Sequence, residues 1–207
     1  MKIYGNPMST CTRKVLTVFA EKGVKPEFVT VELNGEQKQE PHLSRQPFGQ
    51  VPALEDNGFA LFESRAMCRY VDQQLPGARL VPADAKAAAT VEQWISVESA
   101  NFTPHAMKII YGALLEPMRG LPVNTAKIEE GRKALETTLG IMEKQLQKNP
   151  FIAGSEFTLA DICYMPYIEY LYACKNGDII DAHPAVAKWW KGVSDRKSWQ
   201  IATGKAN

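Results

Sequence analysis

The stretch FGQVPALEDNGFALF, residues 48–62, decides the architecture of the first part of the chain. Residues 53–55 and 59–62 are short apolar-rich runs, and Asp56-Asn57-Gly58 separates them. Asn-Gly favours a tight hairpin turn, because both central positions of that turn need a positive φ that these two residues accept. The two runs are therefore read as a β-hairpin. Pro52 stands directly before the first run and has no N–H for a ladder, so it belongs at an edge or a turn. A trans Val51–Pro52 bond is the default. A cis bond, found in about 5–6% of X–Pro bonds, would turn the Val51 backbone outward, toward an extended ligand.

Working outward, Lys2 to Gly5 reads as a short strand ended by the turn signal Asn6-Pro7. Ser9 or Thr10 can then cap a helix whose apolar stripe includes Val15, Val18 and Phe19, with Gly23 closing it. EFVTVEL, residues 27–33, alternates Val29, Val31 and Leu33 with Phe28, Thr30 and Glu32, as a strand requires. Residues 35–49 are polar and irregular, with room for a short helix. Beyond the hairpin, a helix starts near Ser64 and runs to about Leu75. The order β-α-β-α then β-β-α predicts a small four-stranded mixed sheet with helices on its faces.

After Pro76-Gly77-Ala78-Arg79 the pattern changes. Residues 85–99, 127–148, 159–174 and 184–194 carry helical period, and no strand is convincing. The expected organisation is an α/β domain over residues 1–76, a linker over 77–84 and an all-α domain over 85–207.

Composition narrows the possible functions. An apolar fraction of 45% suits a globular chain with a real core, and a net charge of +1 gives no electrostatic case for nucleic acid or an anionic membrane. There is no run of 18 apolar residues, and MKIYGNPMST lacks the apolar segment of a signal peptide. The four cysteines (Cys11, Cys68, Cys163, Cys174) show no CxxC pair, and the three histidines are far apart in sequence. That usage suits free thiols in a reducing cytoplasm and gives no argument for a metal site.

Three segments carry chemistry. In Met8-Ser9-Thr10-Cys11-Thr12-Arg13, hydroxyls and a thiol sit where a strand feeds a helix N-terminus. Open N–H groups and the helix dipole favour an anion there, and Arg13 and Lys14 would add positive potential. Read alone, Ser9 and Thr10 are ordinary caps. The second segment is residues 48–53, with its backbone edge at Val51. In the third, Phe62-Glu63-Ser64-Arg65-Ala66, Ser64 and nearby N–H groups could hold a carboxylate and Glu63 could accept from an ammonium group. Read alone, this too is an ordinary helix start. Together the segments offer a thiol-activating hydroxyl, a backbone edge and a carboxylate pocket.

In order and spacing, G-x-P-x-S-T-x-T-R, V-E-L, G-E-x-K, P-F-G-Q-V-P-A-L-E-D and F-E-S-R-A resemble cytosolic glutathione transferases, most nearly the serine-type phi class. Thr158-Leu159-Ala160-Asp161 adds the capping-box-like start found in that family's helical domain. The resemblance implies the glutathione transferase fold, a thioredoxin-like N-terminal domain followed by helices. It implies an enzyme that conjugates glutathione, as cosubstrate and with no other cofactor, to small hydrophobic electrophiles. Ser9 would hydrogen-bond the glutathione sulfur and favour its thiolate. Lys38, with Gln37 beside it, would lie near the glycine carboxylate. Gln50, Val51 and a cis Pro52 would hold the cysteinyl backbone, and Glu63 with Ser64 would take the γ-glutamyl end. Gln37 stands where the family has histidine, which keeps a donor but removes any positive charge.

The family's electrophile site is implied between the first helix and the start of the helical domain. Met8, Thr12, Phe102, His105 and Tyr111 are its candidates here, although a stripe of this kind is also plain core. A two-fold homodimer is implied as well, with Phe48 as an aromatic plug and Arg65 near the interface. Two alternatives remain open. One is a thiol transferase working through Cys11, which lies about 200° around the helix from Ser9. The other is a noncatalytic ligand-binding protein of the same fold.

Overall fold

A computed structural model of the chain describes residues 1–206. The chain forms two compact units, one of residues 1–81 with the C-terminal segment from residue 195, the other of residues 82–194.

The first unit is built on a four-stranded sheet of order β2-β1-β3-β4, comprising β1 (Lys2–Gly5), β2 (Glu27–Thr30), β3 (Ala53–Asp56) and β4 (Phe59–Phe62). β1 runs parallel to β2 and antiparallel to β3, and β3 runs antiparallel to β4. The mixed sheet expected from the sequence is thus present. At the hairpin, Asn57 and Gly58 both have positive φ, 48° and 86°, as the Asn-Gly turn requires. β2 stops at Thr30 rather than continuing to residue 33, because its partner ends. β1 breaks at Asn6-Pro7, and the Val31 N–H to Gly5 carbonyl bond of 2.8 Å is the last rung.

α1 (Thr10–Glu21) and α2 (Ser64–Gln74) belong to this unit and pack on each other. Val15, Val18 and Phe19 of α1 lie in its core with Ile3, Leu54, Met67 and Val71. Part of the expected linker is bound to this unit. Lys22 forms a buried ion pair with Asp72 at 2.7 Å and donates to the Ala78 carbonyl, and Asp72 accepts from the N–H groups of Leu80 and Val81. A helix at residues 197–202 also belongs here. It packs on α1, and Arg196 grips Glu21 with two nitrogens at 2.8 Å each. The boundary drawn at residue 207 for the helical domain is therefore corrected to Ser194, since a long-range contact that local periodicity cannot show claims the last segment.

The second unit contains α3 (Ala85–Val97), α4 (Thr103–Ile110), α5 (Thr125–Leu146), α6 (Leu159–Ala173), α7 (Asp178–Asp181) and α8 (Pro184–Ser194). Single wide turns at Glu98–Phe102 and Tyr111–Leu115 flank α4, and Pro104 sits in its first turn, where a missing N–H is tolerated. α6 is buried almost all round, and so is the central element of the unit. Its Thr158–Asp161 start forms the reciprocal capping box. No helix among the described residues is long and apolar enough to cross a membrane.

Candidate functional site

The sheet register determines which segments meet. Tyr4 pairs with Ala53 and Ala53 with Phe62, so the last residues of β1, the first of β3 and the last of β4 share one end of the sheet. The segments leading to Ser9, from Val51 and into Ser64 therefore emerge side by side. Neighbouring strands are about 4.8 Å apart, which puts the outer two about 10 Å apart, close to the length of an extended tripeptide.

Ser9 is the N-cap of α1, with φ −74° and ψ 126°, and its Oγ accepts from the Thr12 N–H at 3.2 Å. A serine hydroxyl that accepts on one lone pair still has its O–H to give. The N–H groups of Thr10 and Cys11 make no hydrogen bond among the described residues, leaving the helix start open to an acceptor. Arg13 and Lys14 do not reinforce it as free cations. Arg13 is 6% exposed, with Nε on the Pro7 carbonyl at 2.8 Å and Nη2 on Met8 Sδ, and Lys14 is fully buried.

The Val51–Pro52 bond is cis, and Pro52 is buried. Neither the N–H nor the carbonyl of Val51 is engaged among the described residues. Next to it, Gln50 is held firmly. Gln46, 2% exposed, accepts from the N–H groups of Phe48 and Gln50 on its Oε1, at 2.7 and 3.2 Å. His42 Nε2 lies 2.6 Å from the Gln50 carbonyl oxygen. A carbonyl only accepts, so Nε2 carries the ring proton. Arg45 fastens this loop to the sheet, donating to Glu55 at 2.9 Å and lying 4.1 Å over the Tyr4 ring. The Tyr4 hydroxyl also donates to Glu55 at 2.7 Å, and these contacts, the hydroxyl first, hold the Glu55 carboxyl below its ordinary pKa. Sequence reading missed His42, Gln46 and Arg45. The only signal was a run of hydrogen-bonding side chains in a loop otherwise read as irregular.

Lys38 is exposed, and its ammonium has no partner among the described residues. Gln37 turns its Oε1 to the Gly35 N–H at 3.0 Å, which leaves the amide NH₂ as its outward donor.

Glu63 is exposed at the start of α2 with φ 72° and ψ 106°, a conformation L residues rarely adopt. Such outliers cost about 1–3 kcal/mol and cluster at functional sites. Ser64 is 4% exposed, yet its hydroxyl makes no hydrogen bond among the described residues, and the N–H groups of Ser64 and Ala66 are open as well. This helix start is uncapped by any side chain.

The electrophile candidates divide. Met8 is 56% exposed in the first unit, and Tyr111 is 38% exposed and His105 half-buried in the second. Thr12 is corrected to a core residue. It is fully buried, its Oγ1 accepts from the Asn6 N–H at 3.4 Å, and it lies so near Gly5 that a Cβ there would meet it at 2.8 Å. Phe102 is corrected likewise, being 0% exposed and edge-packed on Tyr164 and Tyr167. Phe48 is 69% exposed and meets Phe62 edge-on at 6.1 Å. Among the described residues no group of three or more His, Cys, Asp or Glu could hold a metal ion.

The family model of the glutathione S-transferase N-terminal domain matches residues 1–73, and that of the C-terminal domain matches residues 125–191. The chain therefore belongs to the glutathione S-transferase family of enzymes. Its similarity is to the plant phi class. Glutathione S-transferase F12 of Arabidopsis thaliana is 37% identical over 97% of this chain and 95% of its own. The crystal structure of glutathione transferase F7 from Populus trichocarpa superposes with a TM-score of 0.95, at 36% identity, covering 100% of this chain and 99% of that one. Glutathione S-transferase I from maize, solved with an atrazine glutathione conjugate, gives a TM-score of 0.91 at 34% identity, over 98% and 96% of the two chains.

Proposed function

We propose that this enzyme conjugates the glutathione thiolate to small hydrophobic electrophiles and that Ser9 stabilises the thiolate. One observation carries the proposal. The end of the sheet gathers a serine O–H at an open helix start, an unengaged backbone edge and a second open helix start, spaced for an extended tripeptide. The Ser9 O–H donates to the sulfur, and the N–H groups at the start of α1 add their dipoles. Both favour the charged form, so the thiol gives its proton to water near neutral pH. Val51 pairs its backbone with the cysteinyl residue, between the pinned Gln50 and the cis Pro52. The open N–H groups and hydroxyl of Ser64 take the γ-glutamyl carboxylate, and Glu63 takes its ammonium. Lys38 and the Gln37 amide NH₂ face the glycine carboxylate. Catalysis then comes from supplying thiolate and placing it beside the acceptor, with the exposed Met8, next to Ser9, as the candidate in the first unit to touch that acceptor. Glutathione is a cosubstrate, and no other cofactor is invoked. Assembly as a homodimer through the exposed Phe48, and residence in the cytoplasm, where free thiols persist, complete the reading.

The test is kcat/KM against pH for wild type, Ser9→Ala and Cys11→Ser. Ser9→Ala is expected to move the lower inflection toward the free-thiol pKa of about 8.5 and to cut activity at pH 6.5 by about tenfold or more. An unchanged profile with full activity in Ser9→Ala, or loss of activity in Cys11→Ser alone, would transfer the role away from Ser9. Glutathione binding with no turnover of any electrophile would favour the noncatalytic alternative.

A further inference from the structure

We propose that His42 is a positioning residue for glutathione, acting through the Gln50 carbonyl to fix the backbone edge offered by Val51. The role rests on the glutathione site proposed above.

His42 is 3% exposed, and its only hydrogen bond to another residue's carbonyl through the ring is the 2.6 Å contact from Nε2 to Gln50. Its Nδ1 is buried with no partner in the structure. Since Nε2 must be the donor, the neutral ring leaves a bare lone pair at Nδ1, which is unfavourable in a buried setting. A flat apolar ring would avoid that loss, so packing alone gives no reason for an imidazole here. The Nε2–H donor does.

The mount of the ring is rigid. The His42 N–H donates to the Gln39 carbonyl, and the His42 carbonyl accepts from Arg45 and Gln46 at 2.9 Å each. Arg45 is in turn held on Glu55, the Pro41 carbonyl and the face of Tyr4. Gln46 fixes the Gln50 N–H while His42 fixes the Gln50 carbonyl. Both backbone groups of Gln50 are thus tied, and both backbone groups of the next residue are free. The Gln50 carbonyl and the Val51 N–H belong to one planar peptide, so tying the carbonyl fixes the direction of that N–H for an incoming strand, and the ordering entropy is already lost before the ligand binds.

The experiment compares wild type, His42→Phe and His42→Gln for KM of glutathione, kcat toward a chlorodinitrobenzene acceptor and the thermal midpoint. Glutamine places an amide nitrogen about where Nε2 lies, whereas phenylalanine keeps the ring and loses the donor. The expected result is a KM for glutathione about fivefold to tenfold higher in His42→Phe, kcat within about twofold, and recovery of KM to within about twofold in His42→Gln. Wild-type KM in His42→Phe overturns the role, and so does equal impairment of both variants with kcat and midpoint falling together. Should the phenylalanine variant not fold, ¹⁵N shifts of His42 in the wild-type enzyme decide. A shift on adding glutathione supports the role, and none refutes it. Calorimetric titration of wild type with glutathione separates the two levels, since absent binding removes the site itself, whereas binding that His42→Phe leaves intact removes only the part given to His42.

Discussion

Replacing Asp161 by alanine should damage the second unit more than any change at its surface, and the size of the loss follows from four hydrogen bonds. The fully buried carboxylate accepts from the Ile152 N–H at 3.0 Å, the Thr158 N–H at 2.9 Å, the Thr158 hydroxyl at 3.2 Å and the Trp189 Nε1–H at 2.8 Å. Alanine orphans three buried N–H donors, each worth about 1–3 kcal/mol when left unmade. Against that stands the desolvation of the carboxylate itself, which pushes its pKa up and which alanine removes. A net loss of about 3 kcal/mol remains after this offset, a large share of the ~5–15 kcal/mol that holds a typical domain. Asp161→Asn keeps one acceptor oxygen but sets an NH₂ against a backbone donor, for a loss of about 2 kcal/mol. Trp189→Phe removes one donor without orphaning the others and should lose about 1 kcal/mol. Urea unfolding followed by circular dichroism at 222 nm measures all three. With a slope near 3 kcal/mol/M, the alanine midpoint falls by about 1 M. A fall below about 0.3 M in Asp161→Ala would show that the box and its indole partner do not anchor α6.

Two further predictions concern the first unit. Because the Tyr4 hydroxyl and Arg45 depress the Glu55 pKa, its contribution is present in full above the unfolded carboxyl value of about 4.3 and is lost as pH falls through the lower folded value. The urea midpoint of wild type should therefore exceed that of Glu55→Gln at pH 7, and the gap should narrow progressively as pH falls below about 4.3; a gap that widens in acid contradicts the assignment. Glu63→Gly should leave the unfolding midpoint unchanged or raise it, since release of the φ 72° conformation offsets the ~0.5–1 kcal/mol entropic loss of glycine, while KM for glutathione rises several-fold. A midpoint drop worth more than about 1 kcal/mol would show that Glu63 is not strained.

The elements legible in the sequence were those specified locally. Asn57-Gly58 dictates its own turn, Ser9 its own cap, and Thr158 with Asp161 their own box, each within a few residues. Thr12 could have been read correctly by the same means. It lies three and seven residues before Val15 and Phe19, on the stripe that α1 buries. Phe102 could not, because its neighbours Tyr164 and Tyr167 are more than sixty residues away. Arg13 and Lys14 misled for a related reason: charge is visible in a sequence, but a guanidinium folded back on the Pro7 carbonyl is not.

The site depended on a quantity of a third kind, the register between strands. Motif spacing places Ser9, Val51 and Ser64 at 42- and 13-residue intervals along the chain, which says nothing of distance in space. The pairings Tyr4 with Ala53 and Ala53 with Phe62 set the strand ends from which those residues emerge two adjacent strand spacings apart, about 10 Å in all. A shift of one residue in the β1–β3 pairing would move Val51 along the sheet by about 3.3 Å and reverse the face its neighbours present. That register is guarded by Glu55, which in one carboxylate receives the Tyr4 hydroxyl across the ladder and Arg45 from the loop. The same Arg45 anchors the turn that carries His42 and Gln46, so the alignment of the strands and the order of the Gln50 peptide are set by one connected group of side chains. On the reading proposed above, Ser9 meets the sulfur only where the cysteinyl backbone lies against Val51, which ties the hydroxyl at the start of α1 to the contacts that Glu55, Arg45, His42 and Gln46 make.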